Sequence, residues 1–286
     1  MGKIKMVLAM IIFGTIGIFI NKIALPSAFV ACMRAIVGTA FLAIILGFYP
    51  NRSNMSSIKK NAIPIILSGI ALGFNWVFLF EAYKHTTVPV ATACYNLAPV
   101  FVLIASPIVL RERPSIVHIA CTLGALAGAV LISGIIGNEA VHTKGVIYAV
   151  AAAVLYCAVM ILSKKISGIS SLDNTFYQMA VAAVVMTVYT VFTVDLNSVQ
   201  ISGNTGWMLL VLGIVHTGIA YALAFSASKR ITAQSWGILS YIDPATAIIS
   251  STIILNQKLT SIEILGTVMI FGFVFINAFV KSKRRV

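Results

Sequence analysis

The sequence contains very little charge. Charged residues make up 9% of the chain, whereas 60% of its residues are hydrophobic. A soluble domain normally carries about 25% charged residues, because its surface faces water. Apolar runs of the length that a helix needs to cross a bilayer, about 20 residues, recur along the chain. The composition therefore excludes an ordinary soluble domain, and we predict an all-α integral membrane protein.

Acidic residues are especially scarce. The chain has seven aspartate and glutamate residues against 20 lysine and arginine residues, and its formal net charge is +13. Such an excess can indicate a nucleic-acid partner. Here the basic residues form pairs and small clusters between apolar runs, which is typical of cytoplasmic loops. We therefore predict contact with the lipid bilayer and no nucleic-acid partner.

Several motifs of catalysis and nucleotide binding are missing. The sequence contains no G-x-x-x-x-G-K-[ST], no H-E-x-x-H and no G-x-S-x-G, so it encodes no ATP motor of that kind. Its four cysteines lie inside apolar segments, without a C-x-x-C motif and without a histidine at ligand spacing. This pattern is typical of inert buried thiols. We predict no metal site, no cofactor and no enzymatic activity.

Apolar windows separated by polar linkers predict ten transmembrane helices. They run near residues 5–22, 27–48, 62–83, 88–110, 115–136, 145–163, 173–195, 206–227, 232–255 and 261–280. If the N-terminus is cytoplasmic, the inner segments hold 15 lysine and arginine residues and the outer segments hold four. This excess predicts a multi-pass protein of the cell membrane with both termini in the cytoplasm. We expect it to be a monomer or a homodimer.

The two halves of the chain resemble each other. A shift of 145 residues superimposes Lys84 on Lys229, Trp76 on Tyr221 and Pro99 on Pro244. We therefore predict two five-helix repeats, residues 1–140 and 141–286. Because five is odd, the second repeat enters the membrane upside down, which is the architecture of many alternating-access carriers.

Two ionisable residues, Asp243 and Arg34, lie within predicted spans. An aspartate near the bilayer centre costs at least about 2.5–3.5 kcal/mol, so such residues are candidates for function. Asp243 can carry protons or bind a cationic group of the substrate, and its structural alternative is a pair with Arg34. Arg34 can bind a substrate carboxylate or stabilise the helix bundle. Pro99 and Pro244 predict kinks that shape a site.

Other polar and aromatic side chains lie at similar depth. A histidine within a span can relay protons or simply bond a neighbouring helix, and aromatic rings suit a quaternary ammonium group or pack as apolar core. The full set of predicted substrate-binding residues is Arg34, Asn75, Trp76, Tyr95, Asn96, His216, Tyr221, Trp236, Tyr241 and Asp243.

Several segments of the chain resemble the drug/metabolite transporter superfamily, in particular its ten-helix EamA-type carriers. The resemblance rests on Arg34, on EAYKHTTVPVA after the third span, on LAPVFVLIASPIVLRERP at 97–114, and on the weaker copy YIDPATAIISSTIILNQKL at 241–259. The copy has Gln257 where the first block has Glu112. The resemblance implies a carrier of small organic metabolites that works without ATP, with helices 1–4 and 6–9 around a central cavity.

The sequence thus predicts a secondary transporter, and proton coupling is one option for its energy source. The first expectation for the substrate is an amino acid or a similar zwitterionic or aromatic solute. One alternative is a choline-like organic cation bound by aromatic rings and Asp243. An alternative from another class is an intramembrane enzyme that uses Asp243 and His216 as an acid–base pair.

Overall fold

The computed structural model describes residues 1–20, 22–50, 52–86, 88–133, 143–255 and 260–279. These residues form α-helices, one 3₁₀ turn and one π-helical segment, and no strand occurs among them. The α-helices are α1 Gly2–Gly14, α2 Ile16–Ile20, α3 Ser27–Phe48, α4 Met55–Lys60, α5 Ala62–His85, α6 Val88–Tyr95, α7 Ala98–Val109, α8 Ile116–Ile132, α9 Thr143–Lys165, α10 Ser171–Thr193, α11 Gly203–Gly213, α12 Ala220–Ser228, α13 Ala233–Ser240, α14 Ile242–Leu255 and α15 Ser261–Phe279.

Eight helical segments are long and apolar enough to cross a membrane. They are Gly2–Ile20, Ser27–Phe48, Ala62–His85, Val90–Val109, Thr143–Lys165, Ser171–Thr193, Gly203–Ser228 and Ala233–Ile254. The fifth and tenth predicted spans coincide with shorter apolar helices, Ile116–Ile132 and Ser261–Asn277. The chain is thus an all-helical, multi-pass membrane protein. The predicted repeat boundary at 140/141, Gln257 and the basic C-terminal cluster at 281–285 lie outside the described residues.

The outer surface of the bundle is apolar. Large side chains such as Phe192 and Ile253 are 84% and 72% exposed, which suits contact with lipid rather than water. The interior uses small residues instead, and Ala149, Ala152 and Ala153 on α9 are fully buried. Small side chains let neighbouring helices approach closely. In this way α9 packs along α5 and also touches α6 and α7.

The remaining helices pack in a few long pairs. α1 contacts α12 and α14, α3 contacts α10 and α11, and α5 contacts α10. α7 contacts α13, whereas α8 and α15 pack mainly against each other. One large cluster of buried side chains joins these pairs, with members on α1, α3, α5, α7, α8, α9, α10, α12, α13, α14 and α15.

Two small-xxx-small spacings in the sequence, Gly69–Gly73 and Gly124–Gly128, predict close helix packing or dimer contacts. Both serve packing within this chain. A Cβ atom at Gly69 would lie 2.6 Å from the Cβ of Val181 on α10. At Gly128 it would lie 2.7 Å from the carbonyl oxygen of Gly266 on α15, so no larger residue fits where α8 and α15 cross.

The predicted spans 88–110 and 232–255 are each interrupted near the middle. The first is divided into α6 and α7 at residues 96–97, and the second into α13 and α14 at Tyr241. Pro99 and Pro244 explain the interruptions, because a proline has no N–H to continue the helical hydrogen bonds. The hydroxyl of Tyr241 donates to the carbonyl of Asn96 over 2.8 Å, so the two breaks are joined.

The predicted span 206–227 contains a π-helical segment, Ile214–Ile219, between α11 and α12. Here Thr217 Oγ1 donates to the carbonyl of Leu212, five residues earlier, over 2.9 Å. Such π segments are frequent at functional sites. This segment carries His216 and Thr217, which both take part in the interactions described below.

Candidate functional site

Asp243 is the second residue of α14, directly after the helix break at Tyr241. Its side chain is half-buried, and no hydrogen bond joins its carboxylate to another described residue. One arginine and four tyrosines, on α3, α5, α6, α9 and α12, lie near enough to its carboxylate to be affected by its charge. We call this group the Asp243 cluster; its members are Arg34, Tyr83, Tyr95, Tyr156, Tyr221 and Asp243.

Arg34 on α3 is 8% exposed and has two specific contacts. Its Nε atom donates to Thr217 Oγ1 over 3.1 Å. Its guanidinium carbon lies 5.1 Å from the centre of the Trp76 ring, which is cation–π geometry. No ion pair of 4.0 Å or less joins it to Asp243, although their charges interact. The cluster therefore holds a positive and a negative group that do not neutralise each other directly.

Aromatic rings connect these two charges. Tyr221 packs edge-on against Trp76 with ring centres 6.1 Å apart and against Phe13 at 4.9 Å. Tyr95 stacks on Tyr156 at 5.7 Å. These rings give the cluster apolar walls with hydroxyl groups at their edges, which is the usual lining of a small-molecule site.

Asn75 and Asn96 each make hydrogen bonds that involve a backbone carbonyl and a tyrosine hydroxyl. Asn75 is buried, donates to the carbonyl of Ala152 over 2.7 Å and accepts a long hydrogen bond of 3.5 Å from the hydroxyl of Tyr95. This fixes the orientation of Tyr95 within the cluster. Asn96 provides the carbonyl that accepts from Tyr241, and its own buried side-chain nitrogen has no hydrogen-bond partner among the described residues.

Trp236 and Tyr241 are almost completely buried, with 2% and 1% of their surface exposed. Trp236 packs edge-on against Phe225 with ring centres 6.1 Å apart, and Phe225 in turn packs against Tyr221. The hydroxyl of Tyr241 is occupied by Asn96. In this conformation Trp236 lies beside Phe225 and Tyr156, and Tyr241 is bound to Asn96.

His216 lies in the π-helical segment, next to the Thr217 that accepts from Arg34. Its Nε2 is 3.0 Å from Thr15 Oγ1, its Nδ1 is 3.4 Å from the carbonyl oxygen of Val211, and its ring packs edge-on against Phe19. It is 3% exposed, and no hydrogen bond joins it to Asp243. The enzyme alternative requires these two residues on one open face, whereas His216 is buried in this structure.

Three further residues belong to the site but were not predicted from the sequence. Tyr156 occupies the middle of a predicted span, so the rule that selected Tyr221 applies to it equally. Thr217 accepts a hydrogen bond from Arg34, but nothing in the sequence distinguishes it from other threonines within spans. Its position in the π-helical segment is known from the structure. Tyr83 lies near the end of α5, where tyrosine is common in membrane proteins for other reasons.

A second polar network lies at one end of the bundle, in the loops that follow α7, α9 and α12. The Glu112 carboxylate accepts a hydrogen bond from the backbone N–H of Ala233 over 2.8 Å and lies 3.6 Å from Lys164. Gln234 donates to Ser106 Oγ over 2.7 Å and to the carbonyl of Glu112 over 3.0 Å. These contacts, which we call the Glu112 clasp, join the first half of the chain to the second.

Nearby, other loop contacts strengthen the same end. Ser53 donates its backbone N–H to Asp173 over 2.7 Å, and Asn61 exchanges hydrogen bonds with Ser167. Burial lowers the pKa of Lys229, an effect that the charge of Asp173 opposes, and the Lys229 ammonium donates to a backbone carbonyl. This end of the protein is therefore closed in the structure by polar contacts.

Comparisons with known proteins agree with this architecture. The model of the EamA-like transporter family matches residues 1–134 and again residues 143–279. The chain is 34% identical to the uncharacterized transporter YxxF of Bacillus subtilis (strain 168), over 94% of this chain and 86% of that protein. It is 27% identical to the threonine/homoserine exporter RhtA of Salmonella typhimurium (strain LT2), over 83% of this chain and 77% of that exporter.

A solved crystal structure shares the fold. It superposes on this protein with a TM-score of 0.84, covers 99% of both chains and is 20% identical in sequence. The two family matches cover nearly the whole described chain, so the protein belongs to the EamA-like transporter family.

Proposed function

We propose that the protein is a secondary carrier that moves a small zwitterionic metabolite, such as an amino acid, across the cell membrane. The observation that carries this proposal is the pair of Arg34 and Asp243, two opposite charges in one aromatic-lined cluster without a direct ion pair. A substrate with an ammonium and a carboxylate group satisfies both charges at once. Its binding also replaces water around them, which makes each contact stronger than it is in solution.

The two ends of such a substrate have different partners. The terminal nitrogens of Arg34 offer the planar fork that suits a carboxylate, because only Nε is used by Thr217. The Asp243 carboxylate suits an ammonium group. Hydroxyls of Tyr95, Tyr156 and Tyr221 provide further hydrogen bonds between the two ends.

The likeness to RhtA agrees with an amino-acid substrate, since that relative is named as a threonine/homoserine exporter. A choline-like cation is the alternative, because rings surround Asp243. The position of Arg34 argues against it: its guanidinium already covers the face of Trp76 and would repel a second cation. The zwitterion is therefore the better supported substrate.

Transport by alternating access rests on the two halves, which we infer to be inverted five-helix repeats, residues 1–140 and 141–286. In support, the family model matches each half separately. Trp76 contacts Tyr221, and Asn96 contacts Tyr241; both pairs are 145 residues apart. Equivalent residues of two repeats touch only near the axis that relates them, so these contacts favour a pseudo-two-fold axis beside the Asp243 cluster.

We further infer that both termini lie in the cytoplasm, from the distribution of basic residues. Ten helices then cross the membrane, with α8 and α15 as the shorter peripheral pair. Asp243 is the residue best suited to carry a proton during transport, because it is acidic, central and without a hydrogen-bond partner among the described residues.

The experiment is counterflow of labelled amino acids in liposomes, with wild-type protein and with Asp243→Asn. We expect threonine-like solutes to exchange with the wild type, and exchange to fall at least tenfold with Asp243→Asn, since the variant loses a charge-assisted contact. Asp195→Asn, the same change at an exposed position, is the matched control. Full exchange with Asp243→Asn, or exchange of choline but of no amino acid, would refute the proposal.

A proton role of Asp243 gives a different result in the same liposomes. If Asp243 only couples protons, Asp243→Asn abolishes the stimulation by a pH gradient and leaves exchange without a gradient intact. If it binds the ammonium group, exchange without a gradient is lost as well.

A further inference from the structure

A groove of about 410 Å³ lies away from the Asp243 cluster, between α3, α10 and α12. Its walls are mostly apolar and include Phe41, Ile45 and Leu223, together with Gly218 and Ile219 of the π-helical segment. Ile45 and Ile219 are 37% and 38% exposed, so the groove opens to the lipid-facing surface of the bundle. The groove is therefore open to the membrane.

One end of this groove is polar. Lys5 of α1, Ser171 at the start of α10, Ser226 near the end of α12, and Tyr49 directly after α3 all line it. Each of these residues lies at the terminus of its helix, on the same side of the bundle. From Ser226 to Gly218 the groove follows α12 and the π segment for eight residues, about 12 Å of helix. The groove thus runs from a polar end at the membrane boundary into the apolar part of the bilayer.

Lys5 is a cation without an acidic partner at this end. Its Nζ atom donates to Ser226 Oγ over 2.9 Å, and no carboxylate of the described chain lies within 4.0 Å of it. The acidic residue nearest to Ser171 in sequence is Asp173. That residue is fully buried, and its carboxylate accepts hydrogen bonds from Ser53 and Ser170. The ammonium group is therefore available to an external anion.

We propose that this groove binds an anionic phospholipid from the leaflet nearest Lys5, with the lipid phosphate on Lys5 and an acyl chain along the apolar walls. Basic pockets between transmembrane helices are known sites for anionic lipid headgroups. Tyr49 suits the boundary between headgroup and chain, where tyrosines are enriched. A soluble anion satisfies Lys5 but leaves the apolar length of the groove uncovered.

A lipid in this groove also touches the support of Arg34. Gly218 and Ile219 line the groove, and the preceding residue, Thr217, accepts the hydrogen bond from Arg34. The acyl chain therefore packs against the segment that holds Arg34 in place, and we expect bound lipid to stabilise the folded protein.

The test uses native mass spectrometry and thermal unfolding of the full-length protein in detergent, titrated with phosphatidylglycerol or phosphatidylcholine. We expect phosphatidylglycerol to bind more tightly and to raise the unfolding temperature more. Lys5→Gln should weaken phosphatidylglycerol binding about fivefold and Lys5→Arg should retain it, since each basic residue contributes modestly. Lys59→Gln removes an exposed lysine elsewhere and should leave binding unchanged.

A second variant tests the apolar part of the groove independently. Ala222→Phe fills the groove from a half-buried position and should reduce binding of both lipids without changing the charge. Equal binding of the two lipids by the wild type would overturn the proposal, as would equal effects of Lys5→Gln and Lys59→Gln. Stabilisation by inorganic phosphate to the same extent as by phosphatidylglycerol would show a simple anion site instead.

Discussion

At the residue scale, the main feature of the site is the arrangement around Arg34. Its buried charge is tolerated because Thr217 accepts from Nε and the Trp76 ring lies under the guanidinium. The sequence suggested two roles for Arg34, substrate clamp and bundle support. The structure gives it supporting contacts at Nε and on one face of the guanidinium, so its terminal nitrogens are compatible with binding a substrate carboxylate.

This arrangement predicts that transport depends on the planar shape of the guanidinium as well as on its positive charge. Arg34→Lys keeps the positive charge but loses the planar fork, so we expect counterflow of an amino acid to fall about tenfold or more. The measurement is repeated with the amine analogue that lacks the carboxylate, if the wild type exchanges it. That analogue should be transported equally by both proteins, and an equal loss for both substrates would assign Arg34 to bundle support alone.

Thr217→Val is the companion variant. It removes the hydroxyl that holds Nε and leaves the guanidinium itself intact, so we expect a smaller loss of amino-acid exchange than with Arg34→Lys. A larger loss would indicate that the π-helical segment, rather than the arginine fork, limits transport.

At the scale of the helices, the sequence predicts where the helices lie, but it does not predict every place where a helix is interrupted. Within the described residues every predicted span overlaps helix, and eight of these helical segments are long and apolar enough to cross a membrane. Twenty apolar residues leave the backbone few ways to satisfy its hydrogen bonds in lipid. Pro99 and Pro244 correctly indicated kinks. The π-helical segment around His216 contains no proline, and its contacts with Thr15 and Arg34 come from distant parts of the chain, so it was not predicted from the sequence.

The same limit applies to the site. Arg34, Asp243 and Tyr221 were predicted because charged and aromatic residues are unusual in the middle of a span. Which tyrosines surround Asp243 depends on how four helices rotate about their axes. A single sequence does not contain that information, and Tyr156 was missed although it lies as deep as Tyr221.

The crossing of α8 and α15 gives a prediction of stability. A Cβ atom at Gly266 would lie 2.6 Å from the carbonyl oxygen of Gly128, and backbone on both sides prevents an easy shift. We therefore expect Gly266→Ala to lower the free energy of unfolding by about 1–3 kcal/mol, as overpacking commonly does. Thermal unfolding in detergent measures this.

Gly272→Ala is the matched control in the same helix. Among the described residues, no atom outside the local backbone of α15 lies within 4 Å of a Cβ placed at Gly272, so the added methyl group meets no neighbouring helix there. Alanine also favours helix over glycine by about 1 kcal/mol, so the unfolding temperature should stay constant or rise. A similar decrease for both variants would mean that the α8–α15 contact is looser than the structure indicates.

At the scale of the whole molecule, the two halves are held together by different contacts at different depths. Near the middle, Tyr241 binds Asn96 and aromatic rings pack across the cluster. At the end that carries the loops after α7, α9 and α12, the Glu112 clasp joins the halves by polar contacts alone. A carrier that opens alternately to each side has to break the contacts at one end while the central ones persist, and the Glu112 clasp is suited to such breaking.

The last prediction therefore concerns Glu112→Ala, measured by hydrogen–deuterium exchange of the full-length protein. Loss of the carboxylate removes the acceptor for the N–H of Ala233 and the acidic partner of Lys164, so exchange should increase in the peptide that covers residues 229–240. If the clasp closes this end, the protein then visits an open state more often, and exchange should also increase at the distant helix break near residues 95–98. Glu263→Ala is the control, because Glu263 likewise accepts from a backbone N–H, that of Thr260, at an exposed helix start. Its effect should remain within the first turn of α15. If Glu112→Ala changes residues 229–240 alone, Glu112 is a local helix cap, and the closed end of the carrier is held by other contacts.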